Sequence, residues 1–122
     1  MPSNKSLLIV DDSRVSRMMI KSYILSKQPE WNLFEAESGE QALEIAIEKT
    51  IDFFSVDLNM PGINGLELIE KLIPIYPTAR YALLTANIQE ATRIKSGKLG
   101  AAHINKPVTE QSIITMLDYF ND

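Results

Sequence analysis

The sequence predicts an α/β protein, a three-layer, doubly wound sheet of five parallel strands. Two observations carry this: five short apolar runs alternate with five amphipathic segments along the 122 residues, and the chemistry-bearing side chains fall at the carboxyl ends of the runs. Strict alternation makes each helix a right-handed crossover that packs back onto a sheet face. The length and the 45% hydrophobic content match one domain with one core, so 1–122 is read as a single domain.

The first strand is Leu7 to Val10, an apolar run that meets Asp11 and Asp12. Ser13 to Ser26 offers Val15, Met18, Met19, Tyr23 and the Ile24/Leu25 pair at helical spacing, with Arg14, Arg17 and Lys21 on the polar side, and closes before Pro29. Asn32 to Ala36 is a short second strand. Ser38 and Gln41 then read as a capping box for a helix through Ala42, Leu43, Ile45 and Ala46, with Glu40, Glu44 and Glu48 facing water. Asp52 to Val56 is the third strand and delivers Asp57; the turn Asn59-Met60-Pro61-Gly62 leads to a helix from about Gly65 to Ile73. Tyr81 to Leu84 is the fourth strand, ending at Thr85, and Asn87 with Glu90 is spaced as a capping box for a helix to about Lys98. Ala102 to Asn105, ending at Lys106-Pro107, is the fifth strand, and Thr109 caps a last helix through Ile113, Ile114 and Leu117.

Composition narrows the function. Twelve Lys+Arg against sixteen Asp+Glu give a net charge of -4, which disfavours nucleic acid and anionic membrane as partners. There is no cysteine, so disulfides, thiolate metal sites and thiol nucleophiles are excluded, and the single histidine, His103, excludes a multi-histidine zinc cage. Met1 to Ser6 is short and polar, without an apolar leader, so the cytoplasm is the default location.

In a doubly wound sheet, ligands bind outside the carboxyl ends of the strands. With the flavodoxin-like strand order 2-1-3-4-5, strands one and three are neighbours at the switch point, so Asp11, Asp12 and Asp57 converge. Three carboxylates so close repel unless a cation intervenes, and Mg2+ takes one or two carboxylates, waters and a phosphate oxygen. Thr85 can hydrogen-bond a phosphate oxygen and Lys106 can meet the phosphate as a point charge.

Taken in order, Val10-Asp11-Asp12-Ser13-Arg14, Asp57-Leu58-Asn59-Met60-Pro61-Gly62, Thr85-Ala86 and Lys106-Pro107 resemble the receiver domains of two-component response regulators in their stand-alone, CheY-like form. The resemblance covers essentially the whole chain. It implies that Asp57 is phosphorylated by a sensor histidine kinase or a histidine phosphotransfer protein, with Mg2+ held by Asp12 and Asp57, by Asp11 directly or through water, and by the backbone carbonyl of Asn59. It further implies that Thr85 is the switch hydroxyl, that small Ala86 leaves room for the phosphoryl group, and that the Lys106-Pro107 peptide is cis. Output would pass to a downstream protein through helix four, strand five and helix five, from a monomer or weak dimer. Autophosphorylation and slow dephosphorylation would be the only catalysis, since Asn59 and Asn87, beside the path of attacking water, offer no general base.

His103 departs from the family pattern, standing where a Tyr or Phe commonly flips between exposed and buried rotamers. Being titratable near neutral pH, it would weaken the switch when protonated. Arg14, Arg17 and Lys21 border the site and suit an acidic kinase or phosphatase surface; Arg93, Lys95 and Lys98 suggest an acidic output partner. Three other classes compete, one of them a non-phosphorylated interaction domain of the same fold, which would have no reason to keep Asp11, Asp12, Asp57, Thr85 and Lys106 together. A haloacid dehalogenase type of phosphatase would need an acid where Asn59 stands, and a flavodoxin-like cofactor carrier would need a Ser/Thr/Gly-rich phosphate loop where Asp11 and Asp12 stand.

Overall fold

A computed structural model describes residues 4–86 and 89–122. Five strands, β1 (Ser6–Val10), β2 (Asn32–Ala36), β3 (Phe53–Asp57), β4 (Arg80–Thr85) and β5 (Ala102–Asn105), form one parallel sheet in the order β2-β1-β3-β4-β5. Between and after them run α1 (Arg14–Lys27), α2 (Gly39–Glu48), α3 (Gly65–Leu72), α4 (Glu90–Lys98) and α5 (Glu110–Asn121). This is the expected architecture. In register, Val10 pairs with Ala36 and Val56, and Thr85 with Asn105, so the strand ends that carry Asp11, Asp57 and Lys106 finish at one edge of the sheet.

The central strands are apolar throughout because helices cover both faces. Leu8, Val10, Phe54, Val56 and Leu83 point to the layer of α2 and α3, where Ala42, Ala46, Leu68, Ile69 and Leu72 close the core. Leu7, Ile9, Phe53, Ala82 and Leu84 alternate with them and face Ile20 and Ile24 of α1 and Ile113, Met116 and Phe120 of α5. Burying each such Leu, Ile or Phe side chain contributes about 1.5–3 kcal/mol. At the amino-terminal end of the sheet Trp31 stacks on Phe53 and Phe53 on Phe120, with ring centroids 5.0 and 4.7 Å apart. Among the described residues no helix is long and apolar enough to cross a membrane.

Helix α1 corrects the sequence reading. Its sheet-facing ridge is Arg17, Ile20 and Ile24, whereas Val15, Met18 and Met19 are 66%, 59% and 40% exposed. Two apolar stripes overlap on this helix, and periodicity alone does not decide which one the sheet takes.

The helix starts follow the expected side chains in part. Ser38 accepts from the Gln41 amide, but Gln41 reaches back to the Glu37 amide instead of closing the box on Ser38. Thr109 pairs reciprocally with Ser112, and a full box of Asn64 with Glu67 opens α3. Helix α4 begins at Glu90 with Gln89 as an N-cap that makes no side-chain bond; the expected cap, Asn87, lies outside the described residues.

Candidate functional site

The acidic crevice is built by strand endings. Asp11 follows β1 and its amide donates to the Ala36 carbonyl at 3.1 Å; Asp57 closes β3, and the next amide, Leu58, donates to Leu84 at 2.9 Å. Each acid therefore leaves the sheet from a fixed backbone. Carboxylate oxygens of Asp11, Asp12 and Asp57 all lie within 4.8 Å of one another. Asp11 and Asp57 are buried, and Asp12 is exposed at the mouth.

Lys106 crosses from the end of β5 to these acids. Its Nζ is 3.1 Å from Asp11 Oδ2 and 3.3 Å from Asp57 Oδ1, and its amide donates to the Thr85 carbonyl at 3.1 Å. The peptide between Lys106 and Pro107 is cis. Thr85 is fully buried at the end of β4; Ala86 after it and Asn59 after β3 are exposed. Asn87 lies outside the described residues.

Two opposing effects act on Asp57. Burial raises its carboxyl above the usual 3.8, and the Asp11 charge raises it further, while Lys106 opposes both and Asp12 adds a smaller upward push. Burial also opposes the charge of Lys106, but Asp57 and Asp11 together hold its ammonium above the usual 10.5. The crevice thus holds more negative charge than the ammonium offsets. Its donors are hard carboxylate oxygens at a spacing that one divalent cation of the Mg2+ type can bridge.

Arg17 occupies a place the sequence reading missed. It turns inward from α1, where its Nη1 donates to the Asp11 carbonyl at 2.6 Å and its Nε to Glu35 Oε1 at 3.0 Å. Lys21 stands 3.5 Å from the other oxygen of Glu35. Glu35 therefore offsets one of the three positive charges of the expected basic stripe, and Arg14 and Lys21 form its outward part.

Gly65 was also missed. A Cβ there would stand 2.9 Å from the Asp57 carbonyl carbon and from Leu58 Cα, and closer still to the Asp57 carbonyl oxygen. The first turn of α3 thus lies against the backbone of the central acid.

His103 is half-buried on β5, opposite Leu83, and among the described residues its Nε2 is a buried atom without a hydrogen-bond partner. Burial, then the charge of Arg93 on α4, pushes the imidazole below its usual 6.5. A base held neutral in the fold and free to protonate when unfolded makes stability fall as pH drops below that unfolded value, levelling off beneath the folded one. Urea unfolding between pH 7.5 and 5.5 is expected to show this loss in wild type and a flatter profile in His103→Phe. Parallel profiles would show that the ring is not held neutral.

A family model described as the response regulator receiver domain matches residues 7–118. The chain is 34% identical over 115 residues to the chemotaxis protein CheY of Thermotoga maritima, covering 93% of this chain and 95% of that one. Chemotaxis protein CheY4 of Vibrio cholerae superposes with a TM-score of 0.86 at 23% identity, over 95% of this chain and 98% of that one. A Burkholderia pseudomallei response regulator described with a phosphorylated aspartic acid and a calcium ion superposes with a TM-score of 0.80 at 28% identity, over 92% of this chain and 65% of that one.

Proposed function

The chain belongs to the response regulator receiver domain family, and on that premise we propose that Asp57 accepts a phosphoryl group from a phosphohistidine on a sensor kinase or phosphotransfer protein. The observation that supports it most is the convergence of Asp57 with Asp11, Asp12 and Lys106 in one crevice. An Asp57 carboxylate oxygen attacks phosphorus, the bond to the imidazole nitrogen breaks, and the imidazole leaves with the electron pair and takes up a proton. The product is an acyl phosphate.

Asp11, Asp12 and Asp57, with the Asn59 carbonyl, would hold Mg2+, which when bound neutralises charge on the transferring oxygens. Lys106 swings from its carboxylate partners to the phosphoryl oxygens as a mobile point charge. Thr85 donates its hydroxyl to the phosphoryl group, and exposed Ala86 leaves the approach open.

The exposed apolar patch of Val15, Met18 and Met19 on α1 suits contact with the phosphodonor protein. The output partner reads the face of α4, β5 and α5, where repacking around Thr85 and His103 carries the change. The test is incubation of wild-type protein with Mg2+ and acetyl phosphate, followed by intact-mass measurement. One added phosphoryl group that is absent when chelator is present during the incubation is expected; no added mass would refute the reading.

A further inference from the structure

Asp11 is held at every polar atom it has. Its amide donates to Ala36, its Oδ1 accepts from the Ser13 amide at 2.9 Å, its Oδ2 pairs with Lys106, and its carbonyl accepts from Arg17. Three of these bonds come from the sheet, the start of α1 and the crevice itself. The fourth comes from the side chain of the fourth residue of α1, only 11% exposed and fixed from behind by Glu35 of β2. Nothing in the covering of the core requires a guanidinium here, and burying one is unfavourable unless its donors are used.

The carbonyl that Arg17 grips and the amide nitrogen of Asp12 share one peptide plane. Fixing the carbonyl therefore fixes the direction in which Asp12, the exposed acid of the cluster, leaves the strand. We propose that Arg17, backed by Glu35, is a positioning residue for the divalent-cation site, orienting the Asp11-Asp12 peptide so that the Asp12 carboxylate meets the ion together with Asp57. This rests on the receiver reading of the crevice and adds to it a residue outside the acids, the hydroxyl and the lysine.

Two roles for Arg17 predict opposite signs. As a nearby positive charge it repels a divalent cation, so its removal tightens binding. As an orienting group it preorganises a ligand, and loss of such a partner typically weakens metal affinity by about 10–100-fold. Lysine keeps the charge but lacks the planar fork that reaches the Asp11 carbonyl and Glu35 at once.

The experiment is a Mg2+ titration followed by the amide NMR shifts of residues at the crevice, on wild type, Arg17→Ala, Arg17→Lys and Asp57→Asn, with urea unfolding of each metal-free protein alongside. The expected result is binding by wild type that Asp57→Asn impairs, and about 10-fold weaker binding by both Arg17 variants. Arg17→Lys retains the aliphatic stem and the charge, so it answers the question even if Arg17→Ala fails to fold. Tighter binding by Arg17→Ala with wild-type binding by Arg17→Lys would overturn the proposal in favour of a charge effect. Wild-type affinity in both, with only the urea midpoint lowered, would overturn it in favour of simple structural support. Absence of Mg2+ binding by wild type would refute the reading of the crevice and this inference with it.

Discussion

Asp57→Asn is expected to take up no phosphoryl group from acetyl phosphate under conditions that load wild type, and at the same time to make the metal-free fold more stable. The first effect is chemical: an amide oxygen carries no negative charge and is a poor nucleophile toward phosphorus. The second follows from the balance at the site. Burial and the Asp11 charge raise the Asp57 carboxyl more than Lys106 lowers it, so the ionised form is disfavoured in the fold. An acid whose folded pKa is raised binds its proton more tightly when folded, so stability declines as pH rises from 3.8 through the folded value, and the whole penalty is present at neutral pH. Removing the charge is therefore expected to raise the Tm of the metal-free protein at neutral pH. The two effects are read by intact mass and by thermal unfolding at pH 7 in chelator. A lower Tm would mean that the pair with Lys106 outweighs burial; phosphoryl uptake by the variant would move the acceptor elsewhere.

Gly65→Ala is expected to destabilise the fold by about 2–3 kcal/mol and to depress phosphorylation at Asp57 in the molecules that remain folded. By helix propensity alone alanine is favoured over glycine by up to about 1 kcal/mol. The added methyl, however, meets the carbonyl group of Asp57 and the Cα of Leu58, all backbone atoms with no rotamer to yield. Relief requires α3 to lift or the end of β3 to move, and α3 is pinned by Leu66, Leu68, Ile69 and Leu72 in the core. It is also tied there by the Gly65 amide, which donates to the Leu58 carbonyl at 2.9 Å. Denaturant unfolding and timed phosphoryl incorporation measure the two consequences. An alanine variant of wild-type stability would show that the junction of β3 and α3 is looser than its atoms suggest.

The sheet and the acids were legible in the sequence because both follow from local pattern. Runs such as Leu7 to Val10 are apolar on both faces, which only a covered parallel strand requires, and residues just past such runs must emerge at the ligand-binding edge. What was illegible depends on the third dimension. The face of α1 was read only in part, Ile24 and Tyr23 correctly, because Ile20 and Ile24 share their helix with an equally apolar Val15, Met18 and Met19. Arg17 reads as a solvated cation until Glu35, on another element, is known to stand behind it. Its distance of six residues from Asp11 was the available signal, since a helical side chain leans back toward the amino terminus. Gly65 reads as a turn remnant because its constraint is a backbone eight residues earlier. The Lys106 side chain was read as a phosphate partner; its contact with Asp11, closer than that with Asp57, is visible only once the strand ends are assembled.

That contact changes how loading of the crevice should be pictured. The chain carries its own tenant for the acids, a primary ammonium tethered by four methylenes and seated between Asp11 and Asp57. On the proposed reading, an arriving divalent cation would compete with this ammonium for Asp11 and Asp57, and a displaced ammonium would be free to meet a phosphoryl oxygen.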